Sequence, residues 1–141
     1  MATFVADASV TLPWCFQDEA TAWTDSLLDR LLAGDHISVP AHWPTEISNG
    51  LLMGVRRKRI QPGQPDLFWE QLEVLPIDVE PPLTPSQAKA VLALCEEHGL
   101  TVYDAAYLEL AKRSGLALAT QDSDLLKAAK LEGVSLIVQH P

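Results

Sequence analysis

Short apolar runs alternate along this chain with stretches of helical periodicity, and that alternation restricts the fold more than any other feature. Thr3–Ala6, Ile37–Val39, Val74–Ile77, Leu116–Ala119 and Ser135–Val138 are too short for helices and read as strands. Between them lie segments with apolar residues three and four apart. Ala20, Trp23, Leu27, Leu28 and Leu31 set that period in the first, over Glu19–Ala33, and Gly34 ends it. Helices are also predicted over Ala41–Arg57, Pro62–Leu72, Thr101–Arg113 and Ser123–Leu131. A further one is opened by Thr84 and Pro85, whose capping box Gln87 completes, and closed by Gly99. Its buried face is expected to carry Ala88, Val91, Leu92 and Cys95. Val10–Phe16 can start a helix, but Pro13 confines it to a first turn. Strands interleaved with helices predict an α/β fold whose parallel sheet is covered on both faces.

The chain of 141 residues has the length of one domain, 1–141. With 48% hydrophobic residues it can bury a core, which excludes a disordered protein. Its uncharged runs are too short to span a bilayer, and MATFVAD lacks the pattern of a secretory leader. Cys15 and Cys95 show no zinc-like spacing and read as buried thiols in a reducing cytoplasm. His36, His42, His98 and His140 form no HxxxH or HExxH pattern. His42 and Glu46 stand one helical turn apart, which permits a local interaction.

A net charge of −9 is wrong for a protein that binds nucleic acid through charge alone. The distribution says more: Arg56, Arg57, Lys58 and Arg59 are consecutive. They suit a solvated helix end, or a patch that contacts phosphates. Gly50 and Gly54 weaken the preceding helix but let another element approach it closely.

Acids mark the predicted strand ends. Asp7 follows the first strand, where open α/β sheets gather ligands, and it also suits a helix N-cap. Ser9 is placed to donate to it. Glu46 shares a helix face with Asn49. Asp104 completes a Thr101–Asp104 capping box, yet one carboxylate oxygen can cap while the other binds a metal. Asp122 and Asp124 follow the LALA run and Thr120. One acid, most naturally Asp122, caps the next helix, and the spacing leaves open which of the two faces a metal. Carboxylates gathered without a Cys or His framework make a site for a hard divalent cation.

The segments VADAS, VPAHWPTEISNGLL, LTVYDAAYLELA and LATQDSDLLKAA resemble, in order, the acidic motifs of PIN-domain ribonucleases, among them the VapC-like toxins of toxin–antitoxin pairs. The likeness runs from Asp7 to about Lys130, with YDAAYLELA and T-x-D-x-D-L its most distinctive parts. It implies an α/β/α sandwich with a central parallel sheet of about five strands, a Mg²⁺ or Mn²⁺ site, and cleavage of RNA. It places the site acids on Asp7, Glu46, Asp104 and Asp122, with Asp124 as a further metal ligand. Ser9, Asn49 and Thr120 support them, and Arg56–Arg59 are left to contact RNA. It also implies a cognate antitoxin protein and a homodimer. Trp14, Trp43, Met53 and Trp69 are expected to serve an antitoxin groove or a dimer face. Two alternatives are a non-catalytic module that binds RNA or protein, and a metal-dependent phosphatase with Asp7 as nucleophile.

Overall fold

Phe4, Val5 and Ala6 are buried in succession along strand β1 (Thr3–Ala6), as expected of a strand covered on both faces. The computed structural model describes residues 1–138, so His140 lies outside it. With β2 (His36–Val39), β3 (Ile77–Val79) and β4 (Leu118–Ala119), β1 forms one parallel sheet in the order β3-β2-β1-β4. Because the strands are parallel, all their carboxyl ends lie along the same edge of the sheet.

Among the described residues seven α-helices accompany the sheet: α1 (Ala8–Thr11), α2 (Ala22–Leu32), α3 (Trp43–Arg56), α4 (Gln64–Glu73), α5 (Pro85–His98), α6 (Val102–Ser114) and α7 (Ser123–Leu131). The helix expected to begin at Val10 instead spans Ala8–Thr11 and ends before Pro13, which lies in a 3-10 turn over Leu12–Trp14. Helix α2 starts later than predicted. Thr21 and Thr24 form its capping box, and Gln17–Glu19 is a separate 3-10 turn. The α5 box of Thr84 and Gln87 is present, and Gly99 closes that helix at φ 66°.

The sheet has four strands rather than five. The run Ser135–Val138 contributes one isolated bridge, Leu118 to Leu136. Strand β4 is only two residues long, so it offers little ladder to extend. Strand β3 begins at Ile77 rather than Val74. Val74 is the exposed C-cap of α4, and Pro76 has no N–H to give a ladder. On α5 the buried residues are Val91 and Leu94, while Leu92 is 54% exposed. Ala90 and Ala93 extend the apolar surface around this helix, which blurs the period from which its inner face was read. Cys15 and Cys95 are free and only partly buried.

Trp43 belongs to the core rather than to a partner-facing surface. It is 1% exposed and meets the partly buried Trp69 edge to face at 5.7 Å. Its indole N–H donates to Thr11 Oγ1 at 3.3 Å, and the Thr11 hydroxyl donates to the Asp7 carbonyl at 3.0 Å. The start of α3 is thereby tied to the end of β1. Trp14 is partly buried, with its indole N–H donated to the Thr24 carbonyl at 2.8 Å.

Gly50 and Gly54 permit the close approach inferred from the sequence. A Cβ at Gly54 would lie 2.6 Å from the ring of buried Phe16, which is itself covered by the Arg59 guanidinium at 4.4 Å. A Cβ at Gly50 would meet the far end of the Leu12 side chain, its δ-methyls at 2.7 and 2.9 Å and its Cγ at 3.4 Å. Gly54→Ala should therefore destabilise the protein by about 1–3 kcal/mol despite alanine's better helix propensity. Gly50→Ala should be close to neutral. Urea unfolding of both variants checks this, and equal midpoints would contradict it.

Candidate active site

Asp7 leaves the carboxyl end of β1 and turns directly into α1, so its side chain lies at the sheet edge, 5% exposed. Two hydroxyls hold it. Ser9 Oγ donates to Oδ1 at 2.5 Å, and Thr120 Oγ1, just beyond β4, donates to Oδ2. Thr120 also accepts from the Asp122 N–H at 3.0 Å. Asp122 is the N-cap of α7, where Oδ1 accepts from the Leu125 N–H at 2.8 Å. That bond occupies one carboxylate oxygen and leaves the other available.

Asp104 enters from the first turn of α6. The Thr101 hydroxyl accepts from the Asp104 N–H at 3.2 Å, but the return bond of a full capping box is not made. The Asp104 carboxylate is thus not tied to the Thr101 N–H, although the Thr101 hydroxyl bonds to it. Glu46 comes from the first turn of α3. The buried Tyr107 hydroxyl donates to Glu46 Oε1 at 2.5 Å, and His42 Nε2 lies 3.2 Å from the same oxygen. The histidine is close enough to attract the carboxylate but is not aligned for a hydrogen bond.

Burial raises the Asp7 pKa to about 6, and the charges of Asp104 and Glu46 add to the rise against the hydrogen bonds from Ser9 and Thr120. Burial also raises Asp104, reinforced by Asp122 and Glu46. Glu46 goes the other way: burial opposes its ionisation, but His42 and Tyr107 outweigh that and hold it below the usual carboxylate range. Asp7, Glu46, Asp104 and Asp122 therefore form a chain of mutually repelling carboxylates. Among the described residues, the one basic group acting on Asp7 or Asp104 is His42, on Asp104.

Not every predicted residue joins them. Asp124 is exposed in the first turn of α7, and Asn49 is exposed one turn beyond Glu46. Arg56 lies roughly 15 Å along α3 from Glu46. Arg59 is engaged elsewhere, 2.9 Å from Asp18 and 2.8 Å from Glu19. The basic run is thus neither beside the acids nor wholly free.

The sequence reading missed two contributors. Tyr107 follows Asp104 by three residues on the same helix, a spacing that already puts them on one face. Gln121 donates its N–H to Ser9 Oγ at 2.9 Å and its Nε2 to the Ser9 carbonyl at 2.6 Å. Only the fold could bring those two together.

The donor set suits a hard divalent cation, since it consists of carboxylate oxygens in a half-buried site with unbalanced negative charge. The acids are not drawn tightly together. Among the described residues, three metal-type ligand atoms fall within 4.8 Å of one another only at Glu97, His98 and Glu132. Mg²⁺ keeps several of its waters, so it need not touch every acid.

Residues 4–131 match the PIN domain family, and the chain belongs to that family. Over 40 residues it is 52% identical to Exonuclease VapC9 of Pyrobaculum aerophilum, a match covering 28% of this chain and 30% of that protein. The fold is similar to the crystal structure of PAE2754 from Pyrobaculum aerophilum, with a TM-score of 0.71 and 26% identity over 97% of this chain and 92% of that one. It is also similar to VapBC2 from Rickettsia felis bound to a DNA fragment from their promoter, with a TM-score of 0.65 and 12% identity over 96% and 97% of the two chains. FitAcB from Neisseria gonorrhoeae gives a TM-score of 0.62 at 17% identity, over 98% and 97%. The last two likenesses bear on the fold alone.

A raised folded-state pKa makes the native protein hold a proton that the unfolded chain releases. The stability Asp7 contributes is present at low pH and lost as pH rises from the ordinary 3.8 through about 6. Relative to wild type, metal-free Asp7→Asn should gain up to ~2–3 kcal/mol across that window, reduced by the acceptor lost to Ser9 and Thr120. Chemical denaturation in chelator at several pH values checks this. A difference that does not change with pH would contradict it.

Proposed function

We propose that this chain is a metal-dependent endoribonuclease and the toxin of a toxin–antitoxin pair, folded as a single domain over residues 1–141. The observation that carries the reading is the set of Asp7, Glu46, Asp104 and Asp122 at one sheet edge, where among the described residues no Lys or Arg acts on Asp7 or Asp104 to balance the charge. The relative named Exonuclease VapC9 supports a nuclease of the VapC kind.

Asp7, Asp104 and Asp122 would hold Mg²⁺ or Mn²⁺, while Asp124, exposed in the first turn of α7, stays outside that set. Such an ion supplies positive charge to the phosphoryl oxygens and makes water easier to deprotonate. Asp7 is fixed by two hydroxyls, so it is oriented before any ligand arrives. On Glu46, Tyr107 and His42 both approach Oε1, which leaves Oε2 to accept from the attacking water. A carboxylate held below its usual pKa is a weak base, so Glu46 orients water more than it removes a proton.

Internal rather than terminal cleavage fits the openness of the site. Asp104 and Asp122 are half-buried and Tyr103 beside them is 62% exposed, so the middle of an RNA chain can reach the acids. RNA would approach with Arg56, Arg57 and Lys58 on its phosphates. We further propose a homodimer, inhibited by an antitoxin whose Arg or Lys enters the carboxylates. Among the described residues no helix is long and apolar enough to cross a membrane, and a cytoplasmic location is proposed with the rest.

Asp104→Asn and Glu46→Gln keep size and polarity but remove charge. Each should lower Mg²⁺-dependent RNA cleavage by more than roughly 100-fold, beyond what loss of an outer metal partner costs. Wild type should release internal fragments rather than mononucleotides. A folded Asp104→Asn protein that cleaves like wild type would overturn the site.

A further inference from the structure

A second recess lies on the same sheet edge, at the carboxyl ends of β2 and β3. Its volume is about 240 Å³, below that of a drug-sized pocket and suited to one flat ring system. Pro81, Pro82 and Leu83 line it along the segment that follows β3, and His42 closes the side toward Glu46. Glu109 and Arg113 line it from α6, the helix that also carries Asp104 and Tyr107. From Asp104 to Glu109 is roughly 7.5 Å along the helix axis, so one rigid element serves both sites.

Glu109 is the unusual member. It is 6% exposed, and Arg113 Nε donates to its Oε2 at 2.9 Å. Its Oε1 is buried without a hydrogen-bond partner. A buried carboxylate oxygen left unpaired costs stability, and folded proteins seldom keep one without a use. Glu109 lines this recess with Arg113 and Glu80, whose Oε1 is 3.6 Å from Arg113 Nη1, whereas His42 has its Nε2 3.2 Å from Glu46 Oε1 in the neighbouring site.

Resting on the nuclease reading above, we propose that the recess is a guanine-specific subsite for a base flanking the scissile phosphate. A carboxylate only accepts hydrogen bonds. Guanine presents adjacent N1–H and N2–H donors to it, with O6 beside them as an acceptor for the Arg113 guanidinium. Adenine and cytosine offer one amino group next to a ring nitrogen that would face the carboxylate lone pairs. Uracil offers one N–H between two carbonyls. The proline and leucine walls cover the faces of the ring, and Tyr103, exposed beside Asp104, offers its own face to the neighbouring base.

The test uses short single-stranded RNAs that differ only in the base beside the cut, with Mg²⁺ present. Wild type should favour guanine over adenine in kcat/KM by on the order of tenfold, the scale of one good base-edge contact. Inosine, which lacks the 2-amino group, should fall between them. Glu109→Gln should bring the guanine-to-adenine ratio close to one. Because that change touches a buried ion pair, Leu83→Trp gives a second arm: it fills the mouth of the recess from a residue 37% exposed and should also level the ratio. Guanosine and adenosine monophosphates titrated into Asp104→Asn, followed by NMR, read binding without cleavage. Guanosine monophosphate should shift the signals of the Pro81–Leu83 segment. Cleavage by wild type with no base preference would overturn the subsite and leave the nuclease standing. Absence of any cleavage would overturn the nuclease, and the nucleotide titration then decides the subsite by itself. Shifts with arginine amide but not with guanosine monophosphate would overturn it in favour of a protein side chain.

Discussion

The carboxylate of Asp7, buried where β1 ends, is the group around which the candidate site is arranged. Thr120 reaches it from a position 113 residues away in the sequence, so the bond forms only when β1 and β4 are paired in register. Ser9 holds the other oxygen, Gln121 holds Ser9, and Thr120 orients Asp122. On the opposite side, Trp43 and Thr11 tie the backbone of Asp7 to α3, which carries Glu46. Placing a charged group in this position works against folding, since burial alone drives its pKa upward. The hydroxyls offset only part of that cost. The remainder is an electrostatic demand that a cation can meet.

Helix α6 extends this arrangement along the sheet edge. Its first turns place Asp104 and Tyr107 among the acids, and the next ones place Glu109 and Arg113 in the recess beside β2 and β3. Every residue from Ala105 to Ala111 is buried, which fixes the helix against its neighbours and with it the distance between the two places. The separation of the acids and the recess is therefore a property of one rigid element rather than of loops.

Much of this was legible in the sequence because local rules carried it. β1 and α7 fall where their patterns put them, and the capping box of α5 forms as its residue types require. The acids stood out because each followed a strand or opened a helix. What stayed hidden depended on tertiary partners. Arg59 looked free within a basic run, but its pairing with Asp18 and Glu19 crosses some 40 residues. Gln121 carries no motif of its own and acts only because β4 brings it beside Ser9. Asp78 masked β3, since a charged residue is tolerated in a strand at the sheet's edge but interrupts an apolar run. Ser135–Val138 has strand composition but finds only a two-residue partner.

The central claim is that the repelling carboxylates form a divalent-cation site, and a thermal titration reads it without reference to RNA. Mn²⁺ or Mg²⁺ added to wild type at neutral pH, after chelator treatment, should raise the melting temperature. At a concentration about a hundred times the dissociation constant the gain should approach 2.7 kcal/mol. At mildly acidic pH, where Asp7 takes up its proton, the same addition should do much less. Asp104→Asn should relieve part of the repulsion, melt higher than wild type in chelator, and respond weakly to metal. A wild-type melting temperature that metal leaves unchanged at every pH would contradict the account.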